Sequence, residues 1–349
     1  MRARTATRPT RAAHAAAILL VAAGVLTACA GDPEPSPTPS ATETASPTPS
    51  PAPEPEPILQ PLTGIEVETA VAGPALAAKI DDHPAAQPQI GLEATDIVFE
   101  ELVEGGMTRY VAVWHSTVPE QVGPVRSIRP MDPAIISPLG GMVAYSGGQQ
   151  PFVDAMAATG LPNVVHGGAY DGYFFRSGDR AAPHNVILNA RQLLADNASI
   201  AAPQQHFAYP VDGAAPSSQA AGAPAARLDL GFSPSQSRQW GCDAGTGRWL
   251  RWQNGAADMA AGGGQLSAAN VVVLSVQIRN NGGVPETMLA GTNGTGVVQS
   301  GCTTIAVEWS KPDMTTPIRL TDAAGQPVTL TPGNTWVELV PSDGSIAVG

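Results

Sequence analysis

From Gly31 to Pro57 proline recurs at every second or third residue for most of the stretch, set among Ser, Thr, Ala and Glu. No apolar period runs through it, so the segment has nothing to bury that would offset the entropy of ordering it. Proline holds such a chain near polyproline II, and at about 3.1 Å per residue it reaches roughly 80 Å. Residues 29–57 are therefore read as a tether, and any folded body must come after it. About 290 residues follow, enough for two domains of ordinary size with sizeable cores.

The residues before the tether indicate what it is attached to. Arg2, Arg4, Arg8 and Arg11 precede an apolar run from Ala15 to Leu26, with no acid in between, which is the pattern of a secretory signal over residues 1–28. That run is shorter than the roughly 20 residues a membrane-crossing helix needs. Leu26, Thr27, Ala28 and Cys29 resemble the bacterial lipobox, in which the cysteine is lipidated and becomes the first residue of the mature chain. The resemblance makes Cys29 the lipidation site and implies an extracytoplasmic protein held to the cell membrane by lipid.

Removing residues 1–28 takes away four Arg and no acid, so the formal charge moves from −12 to −16. A surface of that sign opposes nucleic acid, which is not expected as a partner. The expected partners are the membrane, through the lipid, and a cell-wall polymer or an envelope protein. Cys242 and Cys302 are the remaining cysteines. Outside the cytoplasm they are expected to pair, closing a loop worth roughly 4 kcal/mol on the chain-entropy account. Two buried free thiols are the alternative; a redox pair is disfavoured because the CxxC spacing is missing.

Beyond the tether, short apolar and β-branched runs alternate with turn residues. ALAAKI at 75–80 runs into Asp81, Asp82 and His83; Ile97–Phe99 runs into Glu100, Glu101 and Glu104; Thr108–His115 and 142–145 read as further strands. PFVDAMAA at 151–158 has a helical pattern. This alternation predicts an α+β fold whose N-terminal part, 58–213, is an α/β-type layered domain. Residues 214–226 turn to Ala, Pro, Ser and Gly and read as a linker or loop. Residues 227–349 read as a mainly β C-terminal domain, with RWLRW at 248–252 placing Trp249 and Trp252 on opposite faces of a strand.

Several of these stretches together resemble one family. PLTGIEV at 61–67, AAKIDDHPAAQPQIGLEATDIVFEELVEGGMTRYVAVW at 77–114, GPVRSIRP at 123–130, RAAPHNV at 180–186 and CDAGTGRWLRWQNG in the C-terminal part are similar to the YerB-like lipoproteins, defined by a domain of unknown function. The resemblance implies a two-domain envelope lipoprotein and no particular reaction. Asp82 stands where that pattern more often has Asn, and Tyr145 lies in a stretch that more often carries His.

The polar residues of these motifs are the site candidates. Glu100, Glu104 and His184 are candidate acid–base groups, since a carboxylate in a cleft or a histidine on a Pro-braced loop can move a proton. Arg109, Arg126, Arg129 and Asn185 are candidate anion ligands. The bland alternative is that these Arg and Glu pair with each other to tie loops to the sheet, and that His184 only shapes its loop. Asp81, Asp82 and His83 form a weaker metal candidate, because no HExxH, paired-cysteine or EF-hand pattern accompanies them. GxSxG, Walker A and GxGxxG are missing too, and no cofactor is expected. Two readings follow: a binding or scaffolding lipoprotein of the envelope, and an envelope hydrolase or lyase acting on wall glycan or another anionic polymer. A catalytic site should gather Glu104, His184 and the arginines in one open cleft; a scaffold should bury them as pairs.

Overall fold

Strands form where the period-two pattern predicts them. The computed structural model describes residues 57–211 and 213–349; the signal segment, Cys29 and the tether up to residue 56 lie outside the described residues. The N-terminal half supplies β1 (Leu76–Asp81), β2 (Ile97–Leu102), β3 (Thr108–Trp114), β4 (Met142–Tyr145) and β5 (Asn163–Val165). The C-terminal half adds β6 (Ala223–Pro224), β7 (Arg227–Ser233), β8 (Gln236–Asp243), β9 (Arg248–Gln253) and β10 (Asn270–Val276). After these come β11 (Thr292–Ser300), β12 (Thr303–Lys311), β13 (Arg319–Thr321), β14 (Thr335–Pro341) and β15 (Ser345–Val348).

Eleven of these strands make one mixed sheet, in the order β6-β12-β11-β10-β14-β2-β3-β1-β4-β5 with β13 beside β12. The halves meet where β14 pairs in parallel with β2, Thr335 opposite Ile97 through Glu338 opposite Glu100. Strands β1, β3 and β14 are buried at every residue, so both faces of the sheet centre are covered and any charge there must be paired. On one face Ala77, Phe99, Val111 and Val113 pack with Ile128, Met131, Ile135, Phe152 and Met156, contributed by the GPVRSIRP segment and by helices α1 (Asp132–Ile136) and α2 (Gln150–Ala157). On the other, Ala78, Ile80, Val98 and Ala112 meet Leu228, Leu230, Phe232, Trp240 and Trp249 from a second sheet, ordered β9-β8-β7-β15.

The layered α/β reading of residues 58–213 holds only in part. The strands are present, but the α-helices of this region are short, at 5, 8 and 7 residues, the last being α3 (Ala190–Asp196). Much of one sheet face is covered instead by the second sheet, so strand dominates the fold. Residues 214–226 hold α4 (Ser217–Ala221) and β6, which adds to the sheet edge by pairing Ala223 with Thr304. Cys242 and Cys302 form a disulfide with Cα atoms 5.4 Å apart. It ties β8 of the second sheet to the turn between β11 and β12. Trp249 is fully buried and Trp252 partly so, on opposite faces of β9.

Candidate functional site

A crevice opens where β1 and β4 diverge. They pair in parallel only as far as Ala78 and Ala144. Beyond that point the 124–126 segment wedges between them: Pro124 O accepts from Asp81 N at 2.9 Å, Arg126 N donates to Lys79 O at 2.8 Å, and Ser146 N donates to Arg126 O at 2.9 Å. Gly123 has φ +154, and a side chain there would meet Val186 O at 3.0 Å, which explains the glycine that opens this motif. The carboxyl ends of diverging strands are a common place for ligands to bind. Across the crevice, the β2–β3 turn uses Gly105 and Gly106 at φ +71 and +69, a left-handed pair that residues with a Cβ rarely adopt. The turn closes with Val103 N donating to Met107 O at 2.7 Å and carries Glu104 to the rim.

The result is a cleft of about 190 Å³ lined by Asp81, His83, Glu104, Arg109, Arg126, Arg129 and His184, with Val103, Met107 and Thr108. Seven of the residues singled out in the sequence thus converge, drawn from segments up to a hundred positions apart. His184 Nδ1 lies 2.6 Å from Asp81 Oδ2, and its ring stacks on His83 at 4.2 Å between centroids. Arg126 Nε approaches the same Asp81 oxygen at 3.2 Å, near enough to attract but without hydrogen-bond alignment. Arg129 Nε donates to Glu104 Oε2 at 2.7 Å and its Nη1 to Ile128 O at 2.8 Å.

Arg109 differs from the other two. It is buried, its side-chain hydrogen bond runs from Nη1 to Ser127 O at 2.9 Å, and no carboxylate lies within 4 Å of it among the described residues. Burial, and then the positive fields of Arg129 and Arg126, push its pKa down to about 10. On Glu104, burial works to raise the carboxyl, but the Arg129 hydrogen bond and the nearby positive charges prevail and hold it below the ordinary range. The lining therefore carries three guanidinium groups against two carboxylates, with Arg109 the cation left without a partner.

Three sequence candidates fall elsewhere. Glu100 faces the second sheet, because side chains on a strand alternate and Glu101, not Glu100, shares the face of Arg109. Its carboxylate is fully buried between Arg238, at 2.6 Å, and Arg251, at 2.6 Å. Those two guanidiniums outweigh the upward push of burial and bring its pKa to about 2. It is a structural ion-pair member, not an acid–base group in the cleft. Asp82 goes to the same interior and accepts from Tyr110 and Thr108 hydroxyls at 2.7 and 2.6 Å and from Arg238 at 2.7 Å. With Asp81 and Asp82 on opposite faces the proposed metal set is split, and no group of three His, Cys, Asp or Glu suited to a metal occurs among the described residues. Asn185 accepts from Arg176 at 2.8 Å and donates to Ser177 O at 3.3 Å, which braces a hairpin and leaves it off the cleft lining.

Arg238 and Arg251 escaped the sequence reading, yet a signal was present. In β9 the buried face is Trp249, Arg251 and Gln253, so placing Trp249 inside also places Arg251 inside. Arg251 lies over the Trp336 ring at 4.5 Å and pairs with Asp258 as well as Glu100. Behind Arg109, on the cleft side of the sheet, buried Lys79 pairs with Glu101 and with Asp132, the latter at 2.8 Å.

Fold and cleft together define a protein built from two sequence segments that share one sheet, with a cationic crevice at its N-terminal side. The chain belongs to the DUF3048 family of unknown function: its N-terminal domain matches residues 62–204 and its C-terminal domain 228–337. One relative, YerB of Bacillus subtilis (strain 168), has a name that proposes a lipoprotein. It is 35% identical over 127 residues, which is 36% of this chain and 38% of that protein. The crystal structure of YerB from Bacillus subtilis matches with a TM-score of 0.71 at 21% identity, over 83% of this chain and 99% of that one, a likeness of fold.

Proposed function

We infer that this is a lipid-anchored extracytoplasmic protein that binds an anionic group of an envelope component in the Arg109–Arg126–Arg129 cleft. The observation that carries the reading is the convergence of three guanidiniums on one small crevice while only two carboxylates neutralise them, in a chain of net charge −12. An isolated cationic focus on an acidic protein draws anions locally while the rest of the surface repels them. The lipobox-like Cys29 and the name of the Bacillus relative support the envelope placement.

A second reading rests on the gathering of Glu104, His184 and the arginines in one cleft, as expected of a catalytic site, and on the 2.6 Å contact from Asp81 to His184 Nδ1. A carboxylate there orients the imidazole and leaves Nε2 to accept a proton, the arrangement of a general base. One experiment separates the two: incubate the mature protein with purified sacculi, sediment them, and analyse the supernatant by mass spectrometry. Retention without released product supports binding. Product that disappears with His184→Ala favours an envelope hydrolase or lyase, and neither retention nor product removes the cell wall as the source of ligand or substrate.

A further inference from the structure

The anion-binding reading leaves the chemical class of the anion open, and the lining of the cleft narrows it. We propose that the cleft recognises a phosphodiester, a tetrahedral monoanion, and that Arg109 is the residue that selects it; the inference rests on the anion-binding reading above.

Arg126 is engaged by Asp81 and Arg129 by Glu104, so most of their charge is spent inside the protein. Arg109 has a single carbonyl partner, leaving Nε and Nη2 free to donate. A buried guanidinium repelled by two others is unfavourable unless something negative joins it. The formal excess on the lining is one positive charge with both histidines neutral. Behind it the buried Lys79–Glu101–Asp132 group carries one negative charge in excess, which lowers the demand further. The lining alone offsets a single negative charge, and with the group behind it the site has no formal charge left to offset a second, which opposes a dianion such as a phosphomonoester at neutral pH.

Geometry separates a diester from a carboxylate. One planar carboxylate is satisfied by one bidentate guanidinium. Here three guanidiniums approach from three positions, one on β3 and two in the GPVRSIRP loop, which suits oxygens directed tetrahedrally. The crevice opens at the strand end where β1 and β4 diverge, so the phosphate it takes need not be a terminal group enclosed by protein. Met107, half-buried on the lining, gives a carbon backbone an apolar contact. Polyol-phosphate wall polymers and glycerophospholipid headgroups share this chemistry.

The test is calorimetric titration of the mature lipoprotein in neutral detergent with glycerophosphoglycerol, inorganic phosphate and acetate at pH 7.5. The diester should bind more tightly than either other anion, and Arg109→Gln should weaken it at least about tenfold, the loss expected of a charge-assisted hydrogen bond. Arg109→Lys keeps the charge but loses the fork. It should fall between the two, and it carries the test if the Gln variant fails to fold. Acetate or inorganic phosphate binding as tightly as the diester, or either Arg109 variant binding like the wild type, overturns the proposal while the anion-binding reading stands. Binding of none of the three defeats both. With diester binding in hand, polyglycerol-phosphate and phosphatidylglycerol vesicles, each against a phosphatidylcholine control, identify the source.

Discussion

Replacing Glu100 by Gln tests the division of the glutamates of β2 and its following turn between scaffold and site. Glu100 is fully buried and bonded to both Arg238 and Arg251, so the change removes their shared carboxylate and leaves Arg238 with Asp82 and Arg251 with Asp258. Breaking a buried pair by removing one partner typically costs about 3–5 kcal/mol. The carboxyl points the same way: burial pushes it up, but Arg238 and Arg251 prevail and hold it at about 2, below its ordinary 4.5. The sign follows from a depressed folded-state value. The contribution is complete above the unfolded-state value near 4.5 and is lost as pH falls through about 2. Urea unfolding followed by tryptophan fluorescence at pH 7 should show Glu100→Gln less stable by about 3 kcal/mol. Between pH 4.5 and 2 the wild type should lose stability that the variant no longer has to lose. Retention on sacculi by the folded variant should be unchanged, because Glu100 faces away from the cleft. A variant within 1 kcal/mol of wild type, or a stable one that no longer binds, would refute this assignment.

Two further expectations concern the covalent features. Cys242→Ala with Cys302→Ala opens a loop spanning a separation of 60 and should lower unfolding stability by about 4 kcal/mol, or less if the unfolded chain is compact; thiol titration of the denatured, unreduced wild type should find no thiol from this pair. Cys29→Ser should move the protein from the membrane fraction to the soluble extracytoplasmic fraction with its melting temperature unchanged, and continued membrane association would argue against the lipid anchor.

Much of the fold was legible because its signals are local. The runs at 75–80, 97–99 and 108–115 became strands at 76–81, 97–102 and 108–114, and the glycines after Glu104 became the turn that presents it. The cleft residues were legible as chemistry: Asp81, Glu104, Arg109, Arg126, Arg129 and His184 are polar residues at strand ends and in Gly- or Pro-braced loops. Their division between faces was not. Glu100 and Glu101 are neighbours with the same composition around them, and a strand covered on both sides gives no hydrophilic face by which to orient it. The pairing of β2 with β14, whose partners such as Ile97 and Thr335 are 238 positions apart in sequence, puts Glu338 beside Glu100 and brings the second sheet over it.

From the sequence alone came the inventory of charged groups and the expectations of a secretory, lipobox-like start, a tether and a cysteine pair, of which the structure shows the pair. These follow from composition and short-range pattern, where the physics acts along the chain. Tertiary structure decided which of those charges became scaffold and which became site. Arg238 and Arg251 consume Glu100 and Asp82 inside the fold, while the 124–126 wedge between β1 and β4 leaves Arg109 exposed to a crevice without a carboxylate of its own. A buried charge takes its meaning from its nearest partner, and here the partners come from strands and loops far away in sequence.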